Sequence, residues 1–292
     1  MSQHFFPRLA VTGAALALIS LTSHAADLVG LTSANELARI DTSNVAAATR
    51  VAISGLAAGD RFVGIDLRPG DNTIYGITLS NSIYRLNEFT GAATFVAALS
   101  APIVNPALGY GIDFNPVADF TGGTSLRFMS SAGNNYAINA TTGAVAFTGS
   151  VTGNFSGVAY SNSTPLPAAA PPSTSLYYID NVADTLSVAT GAFNAPTITP
   201  VGPLGIDVLR ASGFEILGNG QAFAALNVDA GTSLATGIYG INLATGQASL
   251  IGTFNGTLSG LTVSAVPEPG SYALMLAGLA GMGALVRRRR SA

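Results

Sequence analysis

Three carboxylic residues occupy the same place in a repeated sequence pattern. Five segments contain a glycine followed by alternating apolar residues, and the second residue after the glycine is, in order, Asp66, Asp113, Ala159, Glu215 and Thr262. If the repeat brings them together, two or three acids could hydrolyse a glycosidic bond, one as acid and one as base or nucleophile. The same oxygen atoms could instead bind Ca²⁺, or accept backbone N–H groups and brace the fold.

The residue types that the chain lacks exclude several other kinds of chemistry. The sequence has no cysteine, lysine or tryptophan, and both histidines, His4 and His24, lie before a predicted cleavage point at Ala25. The mature chain therefore offers no cysteine nucleophile, no Ser-His-Asp triad, no Schiff-base lysine and no histidine-ligated zinc. Fourteen acids against seven arginines give the segment 27–265 a net charge of −7, which disfavours binding to nucleic acid.

The spacing of the five glycines predicts the elements that carry these acids. Gly64, Gly111, Gly157, Gly213 and Gly260 are 47, 46, 56 and 47 residues apart, and three further β-patterned runs follow each of the first four. The last two runs of each unit are joined by a turn that contains Thr-Gly, at Gly91, Gly143, Gly191 and Gly246. A glycine with positive φ suits such hairpins. Four short strands in about fifty residues are typical of a β-propeller blade.

The two ends of the domain complete the ring. Leu28–Thr32, Glu36–Asp41 and Thr49–Ser54 supply three strands, and Leu258–Ser264 supplies a lone first strand. Together they predict an all-β propeller of five four-stranded blades over residues 26–265, closed by the N- and C-terminal strands; a β-solenoid is the alternative. In this fold the glycine segments are the innermost strands, so Asp66, Asp113 and Glu215 would meet near the axis. The proline-rich insertion Asn162–Ser173 is expected to project from one face.

Both termini carry targeting segments. The first 25 residues combine one arginine, an apolar stretch and Ser-His-Ala before Asp27, which predicts a signal peptide cleaved by signal peptidase after Ala25. At the other end, Gly270–Val286 contains no formal charge and as a helix would span roughly 25 Å, enough for a short transmembrane segment. The positive-inside rule keeps the four arginines that follow, Arg287, Arg288, Arg289 and Arg290, in the cytoplasm.

The tail 266–290 resembles the PEP-CTERM sorting signal of Gram-negative bacteria, because Pro267, Glu268 and Pro269 precede the span and the arginine cluster. That resemblance implies transient anchoring in the inner membrane, processing by an exosortase, and delivery to the cell surface or an exopolysaccharide matrix. Such tails are also named after an ice-binding protein that carries one, which implies nothing about ice binding by this domain.

The main domain resembles a bacterial family, domain of unknown function forty-three ninety-four. The resemblance is carried by Leu28–Thr32, by Phe62–Pro69 and by Thr73-Ile74-Tyr75-Gly76, and it implies no activity. The absence of histidine, cysteine and lysine from the mature chain, together with the recurrence of the acids at one position of the repeat, favours a non-enzymatic surface module. Such a module needs no cofactor and binds exopolysaccharide or surface proteins. A hydrolase using Asp66, Asp113 and Glu215, or a propeller holding Ca²⁺ at these residues, is the alternative.

Overall fold

The computed structural model describes residues 26–229, 234–265 and 278–279. The predicted signal peptide and cleavage point, Pro267–Pro269, the terminal arginines and almost all of the predicted span Gly270–Val286 lie outside these residues. Within the described part, no helix is long and apolar enough to cross a membrane.

The described residues form twenty strands in five antiparallel sheets of four. Blade one begins the domain with β1 (Asp27–Thr32), β2 (Glu36–Asp41) and β3 (Thr49–Ala52). Blade two contains β4 (Phe62–Arg68), β5 (Thr73–Thr78), β6 (Ser82–Leu86) and β7 (Ala93–Ala98). Blade three contains β8 (Tyr110–Phe114), β9 (Leu126–Ser130), β10 (Asn134–Ile138) and β11 (Val145–Ser150), with a short helix α1 (Pro116–Phe120) between β8 and β9.

Blades four and five complete the chain order. Blade four contains β12 (Phe155–Tyr160), β13 (Leu176–Asp180), β14 (Thr185–Ala189) and β15 (Thr199–Pro203). Blade five contains β16 (Arg210–Ile216), β17 (Ala222–Asp229), β18 (Leu234–Ile241) and β19 (Ala248–Phe254). The last strand, β20 (Leu258–Val263), pairs with β1 and so completes the four strands of blade one as its innermost strand. The prediction of a five-bladed propeller closed by both ends is therefore confirmed, and the solenoid is excluded.

The first strands of the blades form the inner wall of the ring. β4, β8, β12, β16 and β20 contact one another in that order, and β20 returns to β4. Their glycines permit this close approach: a Cβ added to Gly64 would lie 2.6 Å from Ile112 of the next blade, and one added to Gly213 would lie 2.2 Å from the nitrogen of Leu261. The glycine that defines the repeat is thus required by packing between inner strands.

The core is divided among the contacts between neighbouring blades. Five apolar clusters are present in the described residues, and each joins the faces of adjacent sheets. Blades one and two share Leu31, Leu37, Ile65 and Leu67, for example. The outermost strands are mostly exposed, whereas every residue of β8 and β12 is buried. This gradient fixes which strand faces the axis.

The hairpin turns follow the predicted chemistry in three of four blades. Gly91, Gly143 and Gly246 have φ of 69°, 73° and 84°. In blade four the prediction is wrong at Gly191, because the residue with positive φ there is Ala192, at 52°. The longer connection between β14 and β15 moves the left-handed residue one place along the chain.

The insertion of blade four does not project from the ring as expected. Ser163 forms a bridge with Leu217 of blade five, and the Leu166 N–H donates to the Pro69 carbonyl of blade two over 2.8 Å. Blades two and four are not neighbours, so the loop crosses the end of the ring at which the inner strands finish. We call residues 162–173 the strap.

Candidate functional site

The closed ring brings the three predicted acids into one cluster. Asp66 on β4, Asp113 on β8 and Glu215 on β16 each place a carboxylate oxygen within 4.8 Å of the other two. Their exposed fractions are only 3, 2 and 3%. We call these three residues the axial acids. Equivalent positions on the two other inner strands hold Ala159 and Thr262, as the sequence alignment of the repeats requires.

Each polar residue at this position binds the backbone of the next blade. Asp66 Oδ2 accepts the N–H of Phe114 at 2.8 Å, and Asp113 Oδ1 accepts that of Tyr160 at 3.0 Å. Glu215 Oε2 accepts the Val263 N–H at 3.2 Å, and Thr262 Oγ1 accepts the Leu67 N–H at 2.8 Å. In every case the donor directly follows the equivalent position of the neighbouring strand. The repeat therefore builds a ring of side-chain bonds that tie successive blades together.

The ring has one gap, at Ala159, whose methyl group cannot accept a hydrogen bond. The N–H that this position would serve in blade five belongs to Ile216. The ring of side-chain hydrogen bonds is therefore interrupted between blades four and five.

The Thr262 hydroxyl lies between two of the axial acids. Its oxygen lies 2.9 Å from Asp66 Oδ1 and 2.9 Å from Glu215 Oε2. A hydroxyl has one hydrogen and two lone pairs, and one lone pair already accepts the Leu67 N–H. Its single hydrogen cannot make a full hydrogen bond to both carboxyl groups, so a proton on one of them would favour this arrangement.

The environment of the cluster favours the neutral acids. Burial raises the pKa of Asp66 well above its ordinary value, and the charge of Glu215 raises it further. Burial also raises the pKa of Asp113, with added contributions from Asp66 and Glu215. For Glu215, burial raises the pKa against the opposing effect of its hydrogen bonds to Thr262 and Val263. Like charges so close in a dry interior repel, and protonation relieves that repulsion.

The same oxygen atoms suit a hard cation only in part. Three carboxylates and a hydroxyl are ligands that Ca²⁺ takes in flexible geometry. However, both oxygens of Asp66 already accept hydrogen bonds, from Phe114 and from Thr262. Asp113 and Glu215 each use an oxygen on a backbone N–H as well. A cation would therefore compete with the bonds that connect the blades.

The strap crosses the end of the axis where the inner strands finish. It meets a cleft there, lined by Arg68, Asp71, Asp119, Leu166 and Pro167 among others. Asp119 of α1 accepts from the Arg68 Nε at 2.7 Å and from the Gly70 N–H at 2.8 Å, and so fixes the turn on which Leu166 rests. None of the axial acids lines this cleft.

The opposite end, where the inner strands begin, is open. A cleft of about 230 Å³ lies there, and its lining includes Arg61, Leu108, Arg210 and Thr257. We call it the axial cleft. Each of these four residues lies three places before the repeat glycine of its blade, so they occupy equivalent positions around the mouth of the ring. The sequence analysis missed Arg61 and Arg210, although this shared offset from Gly64 and Gly213 could have revealed them.

The end of the domain is also fixed by polar contacts. Buried Glu88 accepts from the Ser264 hydroxyl at 2.7 Å and from the Ala265 N–H at 2.9 Å. The Asn72 side-chain amide donates to the Ala265 carbonyl at 2.6 Å. Blade two thus holds the last residues before the tail.

These features define a five-bladed β-propeller with a buried polar axis, crossed at one end by a strap and with the axial cleft at the other. The chain belongs to the family described as Domain of unknown function (DUF4394), which matches residues 36–262. The PEP-CTERM protein-sorting motif matches residues 265–290. The chain is accordingly exported, processed by an exosortase and sorted to the cell surface or the extracellular space.

Several solved structures share a distant likeness. They include the calcium-binding protein regucalcin from Agrobacterium tumefaciens (12% identity, 76% of this chain and 68% of that chain, TM-score 0.41). A putative 6-phosphogluconolactonase from Bacteroides uniformis is 9% identical over 80% of this chain and 83% of that chain, with a TM-score of 0.40. U3-55K is 12% identical over 67% of this chain and 53% of that chain, with a TM-score of 0.41. Among curated proteins, no sequence matches this chain.

Proposed function

We propose that the exported propeller is a non-enzymatic binding module at the surface of a Gram-negative bacterium, where it attaches to exopolysaccharide or to another surface protein. The observation that carries this proposal is that the axial acids are used in hydrogen bonds between neighbouring blades. Each of the three is buried and accepts the backbone N–H of the next blade. Their role is to brace the propeller.

Hydrolysis would require a different placement of the same residues. A catalytic acid or base must reach the substrate oxygen or a water directly, at hydrogen-bonding distance. Neither of the clefts at the two ends of the axis is lined by Asp66, Asp113 or Glu215. The domain between the targeting segments also contains no histidine, cysteine or lysine that could replace them. Binding without chemistry agrees with both facts.

The test measures binding, cleavage and stability on the full chain purified after export. Asp66→Asn, Asp113→Asn and Glu215→Gln are compared with Asp207→Asn, a matched change of an exposed acid. We expect the parent chain to bind matrix polysaccharide or a surface protein without cleaving glycan. The Asp66→Asn variant should melt at lower temperature, because an amide has one acceptor oxygen for the two hydrogen bonds that Phe114 and Thr262 make to Asp66, and a buried hydrogen bond is worth about 1 kcal/mol; Asp207→Asn should not.

Two results would contradict the proposal. Glycan cleavage by the parent chain that the axial substitutions abolish, with the melting temperature preserved, would identify a hydrolase. A chain that binds neither polysaccharide nor any surface component of the exporting cell would not be a binding module.

A further inference from the structure

We propose that the axial cleft binds the carboxylate of an acidic saccharide between Arg61 and Arg210. This inference rests on the proposed function and names the ligand class of the binding module. Arg61 directly precedes β4 of blade two, and Arg210 begins β16 of blade five. Blades two and five are the two neighbours of blade one, so the arginines approach the axis from either side of that blade.

The other arginines of the domain already have partners. Arg39 pairs with Glu88, Arg50 with Glu36, and Arg68 with Asp119. Arg85 donates to the Tyr75 hydroxyl, and buried Arg127 donates to neutral acceptors that include Asn135. Within the described residues, the guanidinium groups of Arg61 and Arg210 make no hydrogen bond or ion pair. The two exposed and unpaired cations thus line the same cleft.

The charge of the cleft is opposite to that of the domain. Residues 27–265 carry a net charge of −7, yet among the residues that the structure describes no aspartate or glutamate lines the axial cleft. Two exposed guanidinium groups that line one recess create a local positive potential, which attracts an anion. Guanidinium binds a carboxylate with two parallel hydrogen bonds, which fixes its orientation.

The rest of the lining suits a sugar ring. Ser33, Asn35, Thr257 and Ser259 supply hydroxyl and amide groups, and Tyr110 and Pro106 supply apolar surface. Short polar side chains around a recess of about 230 Å³ match a hydroxyl-rich residue of that size better than an extended peptide. An acidic polypeptide is the other class of macromolecule with the required charge, and the experiment separates the two.

The experiment measures binding of the full exported chain to three polymers. Polygalacturonate carries a carboxylate on every sugar, its fully methyl-esterified form has the same backbone without charge, and polyglutamate carries carboxylates without sugar. The variant is Arg61→Gln together with Arg210→Gln. The control is Arg50→Gln, which removes one exposed arginine from β3 on the outside of blade one.

We expect polygalacturonate to bind the parent chain and the Arg50→Gln control, with an affinity that falls as salt is raised. The double variant should bind at least about tenfold more weakly, since it loses both charge-assisted contacts. The esterified polymer should bind the parent chain no better than the double variant binds polygalacturonate.

Three outcomes would overturn the inference. Equal binding of polygalacturonate by the parent chain and the double variant would place the site elsewhere and leave the binding module intact. Preference for the esterified polymer would do the same. Binding of polyglutamate in preference to polygalacturonate would assign the cleft to an acidic polypeptide. Loss of every polymer and of every surface component would instead contradict the proposed function.

Discussion

Single side chains at one repeated position decide how the inner strands are joined. Asp66, Asp113 and Glu215 each accept one backbone N–H of the next blade, whereas Ala159 cannot accept one. The arrangement places like charges within 4.8 Å in a dry interior, and the single hydrogen of Thr262 cannot satisfy both neighbouring carboxylates. The cluster therefore stabilises the ring in its protonated form.

This leads to a prediction for pH. The native pKa of each axial acid is raised above its unfolded value, so the native state binds more protons than the unfolded state between those two values. The contribution to stability is fully present below the ordinary carboxyl pKa of about 4 and is lost as pH rises through the native pKa. We expect the melting temperature to increase as pH is lowered from 8 towards 5, when it is measured by calorimetry.

Asp113→Asn provides the comparison for this prediction, because its amide oxygen can still accept the Tyr160 N–H while it contributes no charge. The variant should show a smaller dependence of melting temperature on pH. A change of about 1 kcal/mol shifts the melting temperature of a domain of this size by about 2–4 °C, which is measurable. A cation site would be identified by a different result. The melting temperature of the parent chain would then not depend on pH but would rise with added CaCl₂, and that of the variant would not rise.

Among the strands and loops, β20 is part of the ring, whereas the strap lies across it. β20 supplies the inner strand of blade one, and its Leu258 and Leu261 pack in the cluster shared with blade five. The strap lies outside every sheet and reaches blades two and five through one backbone hydrogen bond and one isolated bridge. Closure of the ring thus depends on β20, and covering of one axial end depends on the strap.

Deletion of Leu258–Val263 should abolish the cooperative unfolding transition. It removes the strand that joins β1 to β16 and β4, so the edge of β1 is exposed and both β16 and β4 lose a packing partner. Denaturant unfolding followed by circular dichroism measures the effect. Replacement of residues 165–171 in the strap by two glycines is the control, and it should preserve a sharp transition. A sharp transition in the β20 deletion would show that ring closure does not hold the blades together.

At the scale of the whole molecule, a rigid ring is joined to a sorting tail at a fixed point. Glu88 and Asn72 of blade two hold Ser264 and Ala265, next to the residues matched by the sorting motif. The axial cleft and Ala265 lie towards opposite ends of the ring, since β20 begins with Leu258, which lines the cleft, and ends at Val263, two residues before Ala265.

Replacement of Pro267, Glu268 and Pro269 by alanine should block sorting. The precursor is expected to remain uncut and in the membrane fraction, because the processing enzyme loses the extended Pro-Glu-Pro segment it recognises. Fractionation of cells and the C-terminal mass of the product measure the effect. Conservative replacement of Ser291 and Ala292, beyond the motif, serves as the control. Mature protein at the surface with an unchanged C-terminal mass would contradict the role of these residues.

The sequence by itself determined the number of blades, most strand positions and the closure of the ring. These follow from patterns that are local: alternating apolar residues, turn glycines such as Gly91 and Gly143, and a repeat glycine about every fifty residues. It also placed Asp66, Asp113 and Glu215 at equivalent depth, because residues at one position of a repeat must lie on one level of the ring.

Only the tertiary structure decided what those residues contact. The partner of Asp66 is the N–H of Phe114 in the next blade, and the strap residue Leu166 meets Pro69, about a hundred residues away. Arg61 and Arg210 come to one cleft for the same reason. Such contacts depend on the curvature that closes the sheets into a ring and on the direction each side chain takes there. A local sequence pattern does not determine the curvature or the side-chain directions, because both arise from the packing of all five blades at once.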